Sequence, residues 1–139
     1  MIAFDTDVLV EIFRGNPTFT ERAGGISPSE QTVPVVVVEE IVRARLNAIR
    51  QAEAGNSRIS LPRAYELFAR SLEELRHFAV LPFTVEAETL FHEFRGRKIR
   101  VATHDLRIGA ICIAHRVKLA SRNRRDFDRI PELDVEYWT

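Results

Sequence analysis

The stretch Thr103–Phe127 constrains the fold of this chain more than any other segment. Apolar side chains dominate positions 106–114, so a helix formed there has no polar face and must be buried nearly all round. After a short turn, the apolar run 117–120 predicts a buried strand. Asp105 stands at the start of the helix. The strand is followed by a polar cluster made of Ser121, Arg122, Asn123 and Asp126. This pattern indicates a site in addition to a core.

Length and charge define the general class of protein. A chain of 139 residues is expected to form one domain, 1–139, that is large enough for a sizeable core. The hydrophobic fraction of 45% and the charged fraction of 29% are typical of an ordinary globular protein. Twenty basic side chains balance twenty acidic ones, which excludes a global positive field. A nucleic acid would therefore have to be held by local basic patches.

The single cysteine and the N-terminus bear on the compartment. Cys112 lies within the apolar helix and has no partner for a disulfide, which fits a reducing cytoplasm. The opening residues, MIAFDTD, lack the basic and apolar regions of a signal peptide. No segment is long and apolar enough to span a membrane, so we expect a cytoplasmic protein without a membrane partner.

The first half of the chain alternates between strand and helix patterns. Ile2–Phe4 predicts a short strand that ends in an acid, and a helix with Thr6 or Asp7 as its cap is expected to follow. Residues 18–23 predict a second short helix. The clearest strand prediction is Val33–Val38, because its four consecutive valines suit a sheet covered on both faces. The next residues, Glu39 and Glu40, are then expected to open a helix.

The second half continues this alternation. Apolar side chains recur at helical spacing from Val38 to Ile49 and again from Ala64 to Leu75, which predicts an antiparallel pair of helices. A brief strand at 80–82, a helix capped by Thr84 and a final edge strand at 133–137 complete the pattern. Strands alternating with helices predict an α/β fold with a central, mainly parallel sheet flanked by helices.

Acidic residues fall where such a fold collects its ligands, at the carboxyl ends of the strands. They are Asp5 after the first strand, Glu39 or Glu40 after the second, Asp105 at the head of the buried helix, and Asp126 after the strand at 117–120. Carboxylates gathered in one place raise one another's pKa, and a divalent cation removes that conflict. Oxygen ligands favour Mg²⁺ or Mn²⁺ over zinc, and no cluster of histidine and cysteine has zinc spacing.

These residues also carry a family resemblance. The segments FDTDVLVE, VEEIVRARL, THDLRIGAICIAH and LASRNRRDFDRIPEL resemble PIN-domain ribonucleases of the VapC toxin type, over nearly the whole chain. The resemblance implies an acidic pocket of Asp5, Glu40, Asp105 and Asp126, supported by Thr6 and Asn123, with Asp5 and Asp105 as metal ligands. It further implies RNA cleavage that depends on Mg²⁺, for which Mn²⁺ can substitute, a homodimer, and inhibition by a cognate antitoxin. Nearby basic residues that could guide the RNA backbone are Arg97, Lys98, Arg122 and Arg124.

Other readings of the same residues remain open at the level of sequence. Asp5 and Asp105 could each be a helix cap, and Asp126 could have no role beyond closing a turn with Asn123. Helical periodicity favours Glu39, whereas the family spacing favours Glu40. The opening FDTDVLV also resembles haloacid-dehalogenase-like phosphatases, with Asp5 as nucleophile and Asp7 as acid/base, although the other motifs of that class are missing. A PIN-like domain that binds RNA or protein without cutting it is the non-enzymatic alternative.

Overall fold

The computed structural model describes all residues, 1–139, and contains a five-stranded sheet in which every pair of neighbouring strands is parallel. The strands are β1 (Ile2–Phe4), β2 (Gln31–Pro34), β3 (Ala79–Leu81), β4 (Lys118–Ser121) and β5 (Val135–Tyr137). The helices are α1 (Thr6–Phe13), α2 (Pro17–Gly24), α3 (Val35–Glu53), α4 (Leu61–Leu75), α5 (Val85–Gly96), α6 (Thr103–His115) and α7 (Arg124–Phe127), and residues Pro28–Glu30 form a 3₁₀ turn. The predicted α/β fold with a parallel sheet is confirmed.

The chain divides into two compact units. The larger unit comprises Met1–Val37 and Phe78–Thr139 and contains the whole sheet, in the strand order β3-β2-β1-β4-β5. The smaller unit comprises Val38–His77, that is, most of α3 together with α4. A single domain over 1–139 stays a prediction.

Helix α6 lies in the core of the larger unit, as its composition predicts. The side chains of Ile108, Ala110 and Ile111 are fully buried. A Cβ atom on Gly109 would lie 2.8 Å from Cδ1 of Ile130, so only glycine permits this close contact without a shift of its neighbour. The strand predicted at 117–120 is found at 118–121, and the edge strand predicted at 133–137 is the shorter β5.

The four valines are the main error of the sequence-based prediction. Strand β2 ends at Pro34, and Val35–Val38 form the first turn of α3. Pro34 has no N–H to donate, which suits the last position of a strand. A helix also buries Val36 and Val37, and burial is the main reason why valine favours strands. The acids at positions 39 and 40 consequently lie in the second turn of α3 and not in its first.

The cap of α1 also differs from the prediction. Asp5, and not Thr6 or Asp7, is the N-cap residue, and its side chain accepts a hydrogen bond from the backbone N–H of Thr6. The second short helix begins at Pro17, with Asn16 as its cap, and α5 has the predicted cap, Thr84. The sequence thus predicts the positions of α2 and α5 more accurately than it predicts the cap of α1.

The smaller unit is a helical hairpin. Nε of Arg45 in α3 donates a hydrogen bond of 2.9 Å to Oγ of Ser71 in α4. The two helices also line an open groove of about 680 Å³ that contains Val42, Leu46 and Phe68. Leu46 and Leu72 belong to the apolar side chains that recur at helical spacing in α3 and α4, yet they are 44% and 48% exposed. None of the helices combines the length and the apolar character needed to cross a bilayer.

Candidate active site

The candidate site lies at the carboxyl ends of β1 and β4, the two neighbouring strands at the centre of the sheet. The strand order runs outward in opposite directions from this pair, which is where open parallel sheets form a crevice for ligands. Phe4 pairs with Ala120 in the register of the two strands, and the backbone N–H of Asp5 donates to the carbonyl oxygen of Ala120 at 2.9 Å. Asp5 is therefore fixed at the floor of this crevice.

The carboxylate of Asp5 is buried and held on both oxygens. Only 5% of the residue is exposed. Its Oδ1 accepts a hydrogen bond of 2.8 Å from the backbone N–H of Thr6, and its Oδ2 accepts one of 2.7 Å from Oγ of Ser121. Ser121 is fully buried at the last position of β4. These two bonds fix the orientation of the carboxylate and offset the cost of its burial.

Asn123 joins the remaining acids to this pair. Its backbone N–H donates to Oγ of Ser121 at 3.0 Å. Its side-chain nitrogen, Nδ2, donates to Oδ2 of Asp105 at 3.3 Å and to Oδ2 of Asp126 at 3.0 Å. A continuous set of hydrogen bonds thus links Asp5, Ser121, Asn123, Asp105 and Asp126, and we call this set the carboxylate network. The structure brings together three of the four predicted acids.

The local roles considered for these acids are present as well. Oδ1 of Asn123 accepts from the backbone N–H of Asp126 at 3.3 Å, so Asn123 caps α7 and closes a turn with Asp126. Asp5 caps α1, whereas Asp105 lies in the first turn of α6 and is not its cap, because Ala102 holds that position. Each acid therefore stands at a helix N-terminus, where the backbone N–H groups favour negative charge.

The chemistry of the donors suits a hard divalent cation. Every acid of the carboxylate network offers oxygen atoms, and the one nearby thiol stays protonated, because burial, reinforced by the charge of Asp5, raises the pKa of Cys112. No three acidic, histidine or cysteine side chains lie close enough to form a ready-made metal cage. Mg²⁺ usually binds through one or two carboxylates and keeps several waters. Two carboxylates of the carboxylate network, together with bound water, would fit that mode of binding.

The two candidate glutamates belong to the smaller unit and differ from each other. Glu39 is exposed and forms an ion pair with Arg43 at 2.6 Å, and it lines the groove of the hairpin, as helical periodicity indicated. Glu40 is half-buried and does not line that groove. Its role beside the carboxylate network stays a prediction.

The predicted supporting and basic residues divide into two groups. The hydroxyl oxygen of Thr6 is buried and has no hydrogen-bond partner, so it is free to bind a polar group. Arg122 and Arg124 immediately flank Asn123, and both side chains are exposed. Arg97 and Lys98 are exposed at the end of α5 and take no part in the hydrogen bonds of the carboxylate network.

Arg124 has an aromatic neighbour that fixes its position. Its guanidinium carbon lies 4.1 Å from the ring centroid of Tyr137. Burial and the hydrogen bond to Asp128 raise the pKa of Tyr137 to about 12, so its hydroxyl is neutral at physiological pH. The cation therefore stacks on an uncharged ring, which holds it at the edge of the site without neutralising it.

Ser121 is the site residue that the sequence analysis did not assign. It was recognised only as part of a polar cluster, yet its hydroxyl connects Asp5 with Asn123. A usable signal was present, because a hydroxyl residue at the end of an otherwise apolar strand must find a hydrogen-bond partner when it is buried.

Comparison with known proteins identifies the family. The model of the family described as PIN domain matches residues 2–133. A curated relative, Ribonuclease VapC1 of Rickettsia felis, is 25% identical over 138 residues, which cover 96% of this chain and 93% of the relative. Among solved structures, DNA-bound VapBC from Salmonella typhimurium has a TM-score of 0.78 at 17% identity, with 99% and 98% of the two chains covered. A toxin-antitoxin complex from Klebsiella pneumoniae has a TM-score of 0.71 at 18% identity, covering 96% and 95%.

The resemblance read from the sequence motifs is thus confirmed by the family match and by a curated relative of the VapC type. The match extends over both units of the structure and includes every acid of the carboxylate network. We conclude that the chain belongs to the PIN domain family.

Proposed function

We propose that this protein is an endoribonuclease that hydrolyses RNA phosphodiesters with the help of Mg²⁺, or of Mn²⁺ in its place, and that it acts as the toxin of a toxin-antitoxin pair. The observation that carries the proposal is the carboxylate network, in which one amide nitrogen of Asn123 donates to both Asp105 and Asp126. The similarity to Ribonuclease VapC1 supports RNA as the substrate.

Hydrolysis of a phosphodiester requires an oriented water, a neutralised phosphoryl oxygen and a stabilised leaving oxygen. A bound divalent cation supplies a more acidic water and positive charge beside the phosphate. In our proposal Asp5 and Asp105 hold this cation, directly or through water. Asp126 completes the negative charge of the site and helps to hold the attacking water.

The neutral residues of the site keep these carboxylates in place. Ser121 and the backbone of Thr6 fix the two oxygens of Asp5, so this side chain needs little reorganisation before it binds an ion. Asn123 keeps Asp105 and Asp126 side by side despite their like charges. The buried hydroxyl of Thr6 is available to a water or a phosphate oxygen.

Glu40 is proposed as the fourth acid. The support comes from the family spacing. Glu40 follows the carboxyl end of β2 by six residues along α3. Its task would be to complete the charge of the site and to hold or activate the water.

The partners follow from the family and from the exposed cations. Arg122 and Arg124 flank Asn123, and we propose that they contact the RNA backbone, with Arg97 and Lys98 extending the path. The toxin-antitoxin complex from Klebsiella pneumoniae shares this fold, which supports a cognate antitoxin as the protein partner. We further propose a homodimer that acts in the cytoplasm, where a buried free thiol such as Cys112 remains reduced.

RNA cleavage by the purified chain, freed of antitoxin, tests this proposal. We expect cleavage with Mg²⁺ or Mn²⁺ and none in EDTA. Asp105→Asn should reduce the rate by about 100-fold or more while the circular dichroism spectrum is kept. Asp7→Asn is the matched control, because Asp7 is an exposed acid of α1 outside the carboxylate network, and its activity should stay unchanged. Undiminished cleavage in EDTA would overturn the metal mechanism, and loss of activity on small phosphate esters in Asp7→Asn would favour the phosphatase alternative.

A further inference from the structure

The side chain of Arg122 contacts two helices near the start of the chain, α1 and α2. Arg122 lies between Ser121 and Asn123 in sequence, so its backbone is fixed by the network. Its guanidinium carbon is 5.5 Å from the ring centroid of Phe19 in α2, and its Nη1 is 3.9 Å from Oε1 of Glu11 in α1. The side chain is 48% exposed, so solvent and larger ligands can still reach it.

Glu11 is held in place by other contacts than Arg122. Its Oε2 accepts a hydrogen bond of 2.7 Å from Nδ2 of Asn16, and its Oε1 accepts one of 3.2 Å from Nη1 of Arg14. The bond from Asn16, aided by the charges of Arg14 and Arg122, lowers the pKa of Glu11. Only 17% of its side chain is exposed. Glu11 is therefore a fixed anion close to the guanidinium of Arg122.

The contact between the two side chains is too long for a hydrogen bond. Direct N–H···O bonds span about 2.7–3.2 Å, whereas this pair is separated by 3.9 Å. The fork of N–H donors on Arg122 thus keeps its capacity for bidentate binding to a phosphate. The ring of Phe19 packs against the guanidinium and restricts its movement. It does not block the N–H donors that would bind a phosphate.

We propose that Glu11 competes with an RNA phosphate for the guanidinium of Arg122. Glu11 then sets how tightly the site binds RNA, and removal of its charge strengthens binding through Arg122. This inference rests on the proposed ribonuclease function.

RNA affinity of the full chain, measured by fluorescence anisotropy in the Asp105→Asn background, tests the proposal without cleavage of the probe. Glu11→Gln keeps an acceptor for Asn16 and should bind a labelled RNA oligonucleotide about 2- to 5-fold more tightly, the range expected for an exposed ion pair. Arg122→Gln should bind about 5-fold more weakly, with the slope of log affinity against log salt reduced by about one. Glu73→Gln is the matched control for net charge, because Glu73 is an exposed acid paired only with Arg76 in α4, and it should leave affinity unchanged.

The double variant decides whether Glu11 acts through Arg122. Glu11→Gln combined with Arg122→Gln should bind like Arg122→Gln alone. An unchanged affinity in Glu11→Gln, or an equal gain in the double variant, would overturn the inference. The cleavage assay on the wild-type chain is run in parallel. If the wild type cleaves RNA and Glu11→Gln does not change the RNA affinity, only this inference fails. A wild type that neither cleaves nor binds RNA overturns the proposed function as well.

Discussion

The carboxylate network and the helical hairpin of α3 and α4 hold their acids in different ways. In the network two acids accept hydrogen bonds from residues far away in the chain, since Ser121 donates to Asp5 and Asn123 donates to Asp105. In the hairpin three acids contact an arginine within one turn of the same helix. These pairs are Glu39–Arg43, Glu66–Arg63 and Glu73–Arg76.

Some acids of the network therefore have contacts that form only in the folded chain, whereas the ion pairs of the hairpin need only a helix. An exposed pair within one helix contributes only about 0.3–0.5 kcal/mol and would form in an isolated helix. The bonds from Ser121 to Asp5 and from Asn123 to Asp105 form only in the folded chain, and Asp5 is held in a buried position at the centre of the sheet. Substitutions in the network should therefore affect activity, whereas similar substitutions in the hairpin should not.

Glu40 is the residue that can break this rule, because it belongs to the hairpin unit and is proposed as a catalytic acid. Glu40→Gln should reduce RNA cleavage by about 100-fold or more, as expected for loss of an acid in a metal site. Glu39→Gln, one residue away and exposed, should change the rate by less than about twofold. Both rates are measured on the same RNA. A large loss in Glu39→Gln with normal activity in Glu40→Gln would reverse the assignment of the two glutamates.

Asn123 should produce the next largest effect. Asn123→Ala removes the amide that draws Asp105 and Asp126 together, and the rate of cleavage should fall by about 10- to 100-fold, the usual range for residues that orient metal ligands. Asn47→Ala, at an exposed position of α3, is the control in the hairpin and should retain full activity. Equal rates for the two variants would mean that the amide of Asn123 only caps α7.

Ser121 and Ser71 offer the finest comparison, because both are buried serines whose hydroxyl oxygens make hydrogen bonds to another part of their own unit. Replacement of either by alanine should lower the free energy of unfolding by about 1–3 kcal/mol, since a partner loses its bond. Only Ser121→Ala should also reduce cleavage, by about 10-fold, because Asp5 loses a fixed orientation. Urea titration and initial rates measure the two effects. A matching loss of activity in Ser71→Ala would show that stability, and not the orientation of Asp5, controls the rate.

The parts of the fold that could be predicted are those whose pattern permits one solution. The run at 106–114 has no polar face, so it had to form a buried helix, and α6 is that helix. The valines after Pro34 permitted two solutions, since both a strand and a helix would bury Val36 and Val37. The choice between strand and helix depended on where the sheet ends. That position is set by the tertiary structure and cannot be read from local propensity.

The site was predictable to a similar extent. Strand ends and helix starts marked Asp5, Asp105 and Asp126, because parallel sheets collect such positions at one edge. The sequence indicates that Ser121 needs a hydrogen-bond partner but not that the partners are Asp5 and Asn123, since these depend on the register of β1 against β4 and on the rotamer of one hydroxyl. Periodicity also could not separate Glu39 from Glu40, because a ligand on a helix need not face the core stripe.

Direct titration of the purified wild-type chain with Mg²⁺ in a calorimeter tests the central claim, that the carboxylate network is a cation site. We expect saturable binding that is lost in Asp5→Asn, whose amide keeps the cap of α1 but removes the charge. The control Asp7→Asn should bind like the wild type. Undiminished Mg²⁺ binding by Asp5→Asn, or RNA cleavage by a wild-type chain that binds no divalent cation, would contradict the account.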